Sequence, residues 1–317
     1  MNFPVFDLHC DTALALLGKD FQGNGNLRKN NHHIDLERAG TLPGYAQCFA
    51  CFTSPWEKLP GSLTVADVFE RELAVVLREM EKNADMIHLA YTADDVQKNL
   101  DDGIMSAILT IEGPAGFGFD PALLEDLYKI GFRISTLGWN EKNPLCGSHK
   151  TGGGLTDLGR EYVKEAQRLG MIIDVSHISD EAFWDIMKVT EAPIIATHSN
   201  SRAVHDCSRN LTDDMFQAIC ETGGVAGFNQ FAYFVGNDAD LDTACKHFNH
   251  FAEMDPSCRH IALGGDLDGC DILPKGFEGV QDYPKLAEKL LKHGFTEQMI
   301  RDIFWNNALT VMRNCCG

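Results

Sequence analysis

The sequence predicts an α/β fold in which eight parallel strands close into a (β/α)8 TIM barrel. Three observations carry that expectation. Short apolar, β-branched runs recur at 4–9, 47–53, 106–111, 133–138, 171–176, 193–197, 224–228 and 260–264, several of them apolar throughout, as strands covered on both faces are. Longer amphipathic stretches separate them, which is the pattern of βα units. The 317 residues suit one elaborated barrel, and no repeat, low-complexity segment or Pro/Gly/Ser-rich linker divides them, so residues 1–317 are expected to form a single catalytic domain.

The intervening helices carry start and stop signals. Asp120-Pro121 places a cap before a proline at the first helical position, Leu123, Leu127 and Ile130 follow on one face, and Gly131 ends the run. Thr156 caps a stripe of Leu158, Tyr162, Ala166 and Leu169 that closes at Gly170, and Thr64 with Asp67 opens another carrying Phe69, Leu73, Val76 and Met80. Ser179 and Thr212 open two more. The glycine run Gly152-Gly153-Gly154 reads as a loop hinge, with a lid over the site as the functional alternative.

Composition excludes several classes of function. The chain is 44% hydrophobic and 23% charged, which is ordinary for a soluble protein, and no apolar stretch approaches a bilayer span. A net charge of −19 without any Lys/Arg cluster opposes nucleic acid and anionic membranes as partners. Eleven scattered cysteines suit reduced thiols, and the start lacks a secretory signal pattern; both favour the cytoplasm. Cys48 and Cys51 have redox-motif spacing, yet on a strand they point to opposite faces, and Cys315-Cys316 at the end of the sequence is expected to fray. A homodimer is compatible with this composition.

In such a barrel the reactive groups stand at the C-terminal ends of the strands. The first strand ends in His9-Cys10-Asp11, the third in Glu112, the fifth in His177, the sixth in His198 and the eighth in Asp266. Each alone is weak, but three imidazoles and three carboxylates at those positions together predict a metal site. Neutral imidazole and carboxylate suit zinc at about 2.0–2.2 Å, and alternation should turn His9 and Asp11 to one side and Cys10 to the other. Glu112 has two oxygens and can bridge two ions roughly 3.5–4 Å apart, leaving a position for a water of lowered pKa. Two divalent ions are offset by Asp11, Glu112 and a hydroxide except for one positive charge, which an ionised Asp266 would cancel. Asp266 is thereby left free to shuttle a proton.

These residues fall in six ordered segments: Asp7-Leu8-His9-Cys10-Asp11, Thr110-Ile111-Glu112-Gly113, Asp174-Val175-Ser176-His177, Ala196-Thr197-His198-Ser199-Asn200, Ser208-Arg209-Asn210-Leu211 and Gly264-Gly265-Asp266-Leu267-Asp268-Gly269. With them the chain resembles the membrane dipeptidase (renal dipeptidase) family of zinc peptidases, within the amidohydrolase-type barrels, almost end to end. The resemblance implies two zinc ions per chain, one on His9 and Asp11, the other on His177 and His198, with Glu112 on both. It implies that Asp266 takes the proton of the attacking water and passes it to the leaving amine, that Asp268 supports it, and that Arg209 grips the free carboxylate of a dipeptide.

One position departs from the pattern. Where mammalian members place a His after the fourth strand, this chain has Trp139, whose indole N–H can still donate to an oxyanion but carries no charge. The family's mammalian members are also membrane-anchored, while this sequence shows no hydrophobic tail after Trp305, so a microbial cytoplasmic dipeptidase is expected. His32, His33, His149, His205 and His247 lie outside the strand ends and read as surface or supporting residues. The alternative is the same barrel acting on another bond, in a cyclic amide or β-lactam, a lactone or a deamination, since one fold hosts many chemistries. A binding protein that keeps the ligands for stability alone is a third reading, disfavoured by the free acid Asp266.

Overall fold

A computed structural model describes residues 3–55 and 59–317. Nine strands are present among them: β1 (Val5–Cys10), β2 (Tyr45–Phe52), β3 (Ile87–Leu89), β4 (Met105–Glu112), β5 (Phe132–Thr136), β6 (Ile172–Asp174), β7 (Ile194–Ile195), β8 (Ala226–Phe228) and β9 (Ile261–Leu263). Eight of them follow the order β7-β6-β5-β4-β2-β1-β9-β8, all pairs parallel. A parallel bridge from Ala196 to Ala226 joins the two ends of that order and closes the ring. All eight runs expected from the sequence therefore become barrel staves. The ninth strand, β3, lies outside the ring on β4; it is a three-residue segment too short to leave a periodic signal.

The helices begin and end where side-chain chemistry dictates. Thr64 and Asp67 form a reciprocal cap on Val65–Lys82, and Thr156, Ser179 and Thr212 cap Asp157–Leu169, Asp180–Met187 and Asp213–Thr222. Gly170 ends the second of these in the left-handed conformation that glycine adopts without steric cost. Asp120 opens with a short 3-10 turn, Pro121–Leu123, before the α-helix Leu124–Ile130.

One end of the barrel interior is an apolar floor. Phe6, Leu8, Cys48, Ile108, Ile134 and Ile172 meet there, and the C-terminal helix Asn307–Cys316, with the π-helical turn Asp302–Asn306 before it, inserts Trp305, Leu309 and Met312 beneath them. Phe6 and Trp305 have ring centroids 5.7 Å apart. Cys48 belongs to this floor and Cys51 to the apolar layer outside the strands, on opposite faces as expected. The expectation of fraying at Cys315-Cys316 is corrected: the helix runs to Cys316, whose thiol donates to the Gly170 carbonyl, and Ala93 N–H donates to the Gly317 carbonyl. Packing of the floor overrides the usual disorder of a terminus.

Trp305 is 3% exposed, so Trp305→Ala should cost about 3–5 kcal/mol of stability through a floor cavity. Urea unfolding of the variant checks this, and a cost under about 1 kcal/mol would mean the helix does not brace the barrel.

Candidate metal centre

At the opposite end of the barrel the polar strand ends converge. In β4, alternation turns Thr110 and Glu112 inward with Ile108, as a regular strand requires. β1 differs. Phe6 and Leu8 face the floor, so strict alternation would send His9 outward. Three residue steps from Asp7 to Cys10 run against two from Gln47 to Phe49, a bulge of one residue. That extra residue returns His9 to the interior, sends Cys10 into the outer apolar layer and brings Asp11 inward at the start of helix Thr12–Leu17. Alternation sets His9 and Asp11 on one side and Cys10 on the other, as expected from the sequence, and the bulge is what makes that side the interior.

Two buried carboxylates hold these strand ends. Asp7 Oδ1 accepts from His9 N–H at 3.0 Å and Gly265 N–H at 2.9 Å, and its second oxygen accepts from the Tyr283 hydroxyl. Asp174 Oδ1 accepts from Ser176 N–H at 2.9 Å and Thr197 N–H at 2.8 Å, and Oδ2 accepts from the Thr197 hydroxyl. Each thus ties its own strand end to a neighbouring one, just below a ligand. Beyond β6 and β9 the chain turns sharply: His177, Asp266 and Asp268 have φ of 69°, 55° and 69°. Left-handed backbone at non-glycine residues is costly and concentrates at functional sites.

The sequence-predicted ligands meet in one buried cluster. His9 Nε2 lies 3.3 Å from Glu112 Oε2, 3.4 Å from Asp11 Oδ2 and 4.0 Å from Asp266 Oδ1. His177 Nε2 lies 3.0 Å and His198 Nε2 3.9 Å from Glu112 Oε1. Glu112 therefore turns one oxygen to each half of the cluster. Gly269 leaves the room: a Cβ there would sit 1.9 Å from Asp11 Oδ2 and 2.7 Å from Asp266 Oδ1.

The donor set fits metal ions on two further counts. His9 Nε2 is buried and makes no hydrogen bond among the described residues despite its carboxylate neighbours. The His177 and His198 Nε2 atoms face each other at 2.9 Å. Thr197 spends its proton on Asp174, so His198 Nδ1 must donate to the Thr197 oxygen at 2.7 Å, and His177 Nδ1 donates to Asn140 Oδ1 at 3.2 Å. Both Nε2 atoms then present lone pairs to each other, an arrangement that a shared cation satisfies; two nitrogens on one tetrahedral zinc lie about 3.3 Å apart.

Electrostatics divide the cluster. Burial, reinforced by Glu112, raises the Asp11 carboxyl to about 6; burial, reinforced by Asp11, raises Asp266 to about 7. Against the downward pull of burial, Glu112 and Asp11 hold His9 protonated well above the usual imidazole range. Burial keeps His177 and His198 neutral, helped by Arg209 at His177 and by His9 at His198.

Around the cluster stand Asn229 and Thr12, which were not singled out in the sequence, and Asp268 and three of the histidines read there as surface or supporting residues. Asn229, the first residue past β8, donates to Asp266 Oδ2 at 3.0 Å and to the His198 carbonyl at 3.2 Å. It occupies the place in its βα unit where other strands present ligands, which is the signal that marks it. His33 donates its backbone N–H to Asp268 Oδ1 at 2.5 Å, and Thr12 donates to Asp268 Oδ2 at 2.7 Å. His149 joins Asn140 at 2.7 Å; burial, then Arg209 and Lys150, pull it down to about 4. His247 is buried, accepting from Ser201 N–H and donating to the Val235 carbonyl, a structural role.

Arg209 is 3% exposed, lies over the Phe234 ring at 5.8 Å and donates Nη1–H to Ser199 at 2.6 Å, while its Nε and Nη2 have no hydrogen-bond partner among the described residues. Trp139 stands edge-on to Phe52 with centroids 5.1 Å apart and lies 6.3 Å from the His177 ring. Above the cluster opens a cleft of about 260 Å³, walled by Leu14, Phe52, Trp139, Phe231 and Phe234.

A family model described as membrane dipeptidase, peptidase family M19, matches residues 1–315. The chain belongs to that family. It is 37% identical over 216 residues to an uncharacterised dipeptidase of Schizosaccharomyces pombe, a match spanning 66% of this chain and 53% of that protein, about half its length. The fold superimposes on a metallopeptidase from Rhodobacter sphaeroides, solved with a phosphinate mimic of the dipeptide L-Ala-D-Ala, with a TM-score of 0.89 at 27% identity and 99% and 100% of the two chains covered. A second metallopeptidase of family M19, dipeptidase AC, gives a TM-score of 0.88 at 28% identity over 100% of both chains. The chain is thus a member of a metallodipeptidase family on an α/β barrel. No helix among the described residues is long and apolar enough to cross a membrane.

The divided electrostatics predict how metal uptake depends on pH. His9, Asp11 and Asp266 retain protons that a cation must displace, whereas His177 and His198 are already neutral. Affinity should therefore rise with pH through about 5.5–7.5 as Asp11 and Asp266 ionise, and go on rising above that range where His9 is still protonated, by about tenfold per unit for each proton displaced. Calorimetric titrations in two buffers of different ionisation enthalpy measure the released protons, and pH-independent binding without release would contradict the assignment.

Proposed function

We propose that the protein is a metal-dependent dipeptidase that binds two zinc ions and hydrolyses the peptide bond of a dipeptide. The observation that carries this reading is Arg209: a buried guanidinium with two unpartnered donors beside a cluster built for cations. A buried, unpaired charge is costly, and the carboxylate of a short peptide would satisfy both free N–H groups as a fork. The dipeptide mimic held by the Rhodobacter relative supports the same substrate class.

In this reading His9 and Asp11 would hold one ion and His177 and His198 the other, with Glu112 serving both. The ions would supply Lewis-acid polarisation and a water whose pKa falls towards about 7. Asp266 has one oxygen fixed by Asn229 and the other directed to His9 and Asp11, so it would hold a proton at that oxygen and return it to the leaving amine; burial favours the protonated form this requires. Trp139, with Phe52, Phe231 and Phe234, walls the cleft and keeps bulk water from the substrate, and its indole N–H is the donor this chain has at the position of the mammalian His. Residues 1–317 act as one catalytic domain. All eleven cysteines are free thiols, which supports a cytoplasmic location.

The zinc-loaded protein should cleave members of a panel of L,L- and L,D-dipeptides; a folded, loaded protein that cleaves none refutes the proposal. Arg209→Ala should lower kcat/KM by about 10–100-fold, mainly through KM, with metal content unchanged. Asp266→Asn should lower kcat by about 10²–10⁴-fold, and full activity in that variant would remove Asp266 from proton transfer.

A further inference from the structure

His177 and Arg209 stand on different βα units, the first just past β6 and the second in the segment after β7. A chain of side chains joins them. Ser208 Oγ lies 3.0 Å from His149 Nδ1, His149 Nε2 lies 2.7 Å from Asn140 Oδ1, and His177 Nδ1 lies 3.2 Å from the same oxygen. An amide oxygen only accepts, so both imidazoles donate to it. His149 then carries its proton on Nε2 and takes the Ser208 hydroxyl proton at Nδ1, while His177 carries its proton on Nδ1 and leaves Nε2 bare. Every donor and acceptor in the chain has one consistent direction.

Both ends of this link are pinned by backbone. His149 N–H donates to the His177 carbonyl at 2.8 Å, Ser179 N–H to the Gly147 carbonyl at 3.1 Å, and Ser148 Oγ to the Asn140 carbonyl at 2.8 Å. At the far end Arg202 donates to the Ser208 carbonyl at 3.2 Å and the Asn210 carbonyl at 2.8 Å while gripping Asp180 at 2.7 and 2.9 Å. The turn that carries Arg209 is thus held between an ion pair on one side and His149 on the other.

We infer that Asn140 and His149 are positioning residues: Asn140 fixes the tautomer and ring orientation of His177, and the His149–Ser208 link sets the distance between the His177 side of the metal centre and Arg209. Partners on the distal nitrogen of a ligating imidazole govern its affinity for metal. A substrate that spans the metal centre and a carboxylate clamp is measured by the separation of the two, so the link acts as a ruler for a two-residue peptide. The second half of this inference rests on the dipeptidase reading; the first half does not.

Two measurements on the full chain separate the halves. Cobalt(II) titration with its visible absorption spectrum reports on the ligands without turnover. Asn140→Ala should weaken cobalt binding by roughly 10–100-fold and alter the spectrum, and Asn140→Asp, which keeps an acceptor oxygen, should recover most of the affinity. Wild-type affinity and spectrum in Asn140→Ala overturn the role of Asn140. In steady-state kinetics with alanyl-alanine dipeptides, His149→Ala should raise KM about tenfold with kcat within about threefold and cobalt affinity within about twofold of wild type. Ser208→Ala, at an exposed side chain that the fold does not need, should move KM in the same direction. An unchanged KM in both variants, or a loss of cobalt affinity in His149→Ala as large as in Asn140→Ala, overturns the ruler. Absence of dipeptide turnover by the wild type also overturns it, and the cobalt titration still decides Asn140.

Discussion

The candidate metal centre depends on two carboxylates, Asp7 and Asp174, that lie outside its donor set. Asp7 and Asp174 each accept a backbone N–H from their own strand and one from the neighbouring unit, at the point where the parallel ladder stops and ligand-bearing residues begin. A parallel sheet gives its strand ends no partners of their own, and an unsatisfied buried N–H costs about as much as a lost hydrogen bond. The two carboxylates meet that demand and fix the backbone in the same act. Without Asp7 the extra residue in β1 would lack the bonds that stabilise it, and His9 would have no reason to face the chamber.

The chamber itself is electrostatically expensive. It brings Asp11, Glu112 and Asp266 within a few ångström of one another with little solvent, and it keeps one imidazole protonated and two neutral. Burial of charge is tolerated when it is paired, and here His9 is the one cationic group within the ligand cluster, with Arg209 nearby. Such a cluster is unfavourable as a resting arrangement and favourable as a receptor for dications, so binding of metal and rigidity of the strand ends are linked quantities. The left-handed backbone at His177, Asp266 and Asp268 belongs to the same economy: local conformational cost is tolerated because the surrounding bonds overdetermine the turn.

Much of this was legible in the sequence because it is local. Eight β-branched runs alternating with helices capped by Thr64, Thr156, Ser179 and Thr212 announce the barrel, and the fold rule that reactive groups cluster past the strand ends selects His9, Asp11, Glu112, His177, His198 and Asp266. What could not be read is non-local. The bulge in β1 exists only relative to β2, so its effect on His9 is invisible in a single segment. Asn140 and His149 have no periodic or capping signature; they matter because the loop that carries them lies against His177. Cys315-Cys316 looked like a frayed end because helix length alone does not reveal a floor to pack against. Trp139 is the mixed case: its position follows from the motif order, whereas its edge-on contact with Phe52 follows from the closed barrel.

The floor has a consequence for how the chain comes into being. Phe6 and Leu8 in the first strand acquire their deepest neighbours from Trp305, Leu309 and Met312, some three hundred residues later. During synthesis the early staves must wait, with apolar surface uncovered, until the ribosome has delivered the helix Asn307–Cys316. Covering of the floor therefore comes after all eight staves have been made, and a chain cut short of Asn307–Cys316 would leave behind a nearly finished barrel that is prone to associate with itself rather than a slightly weakened one.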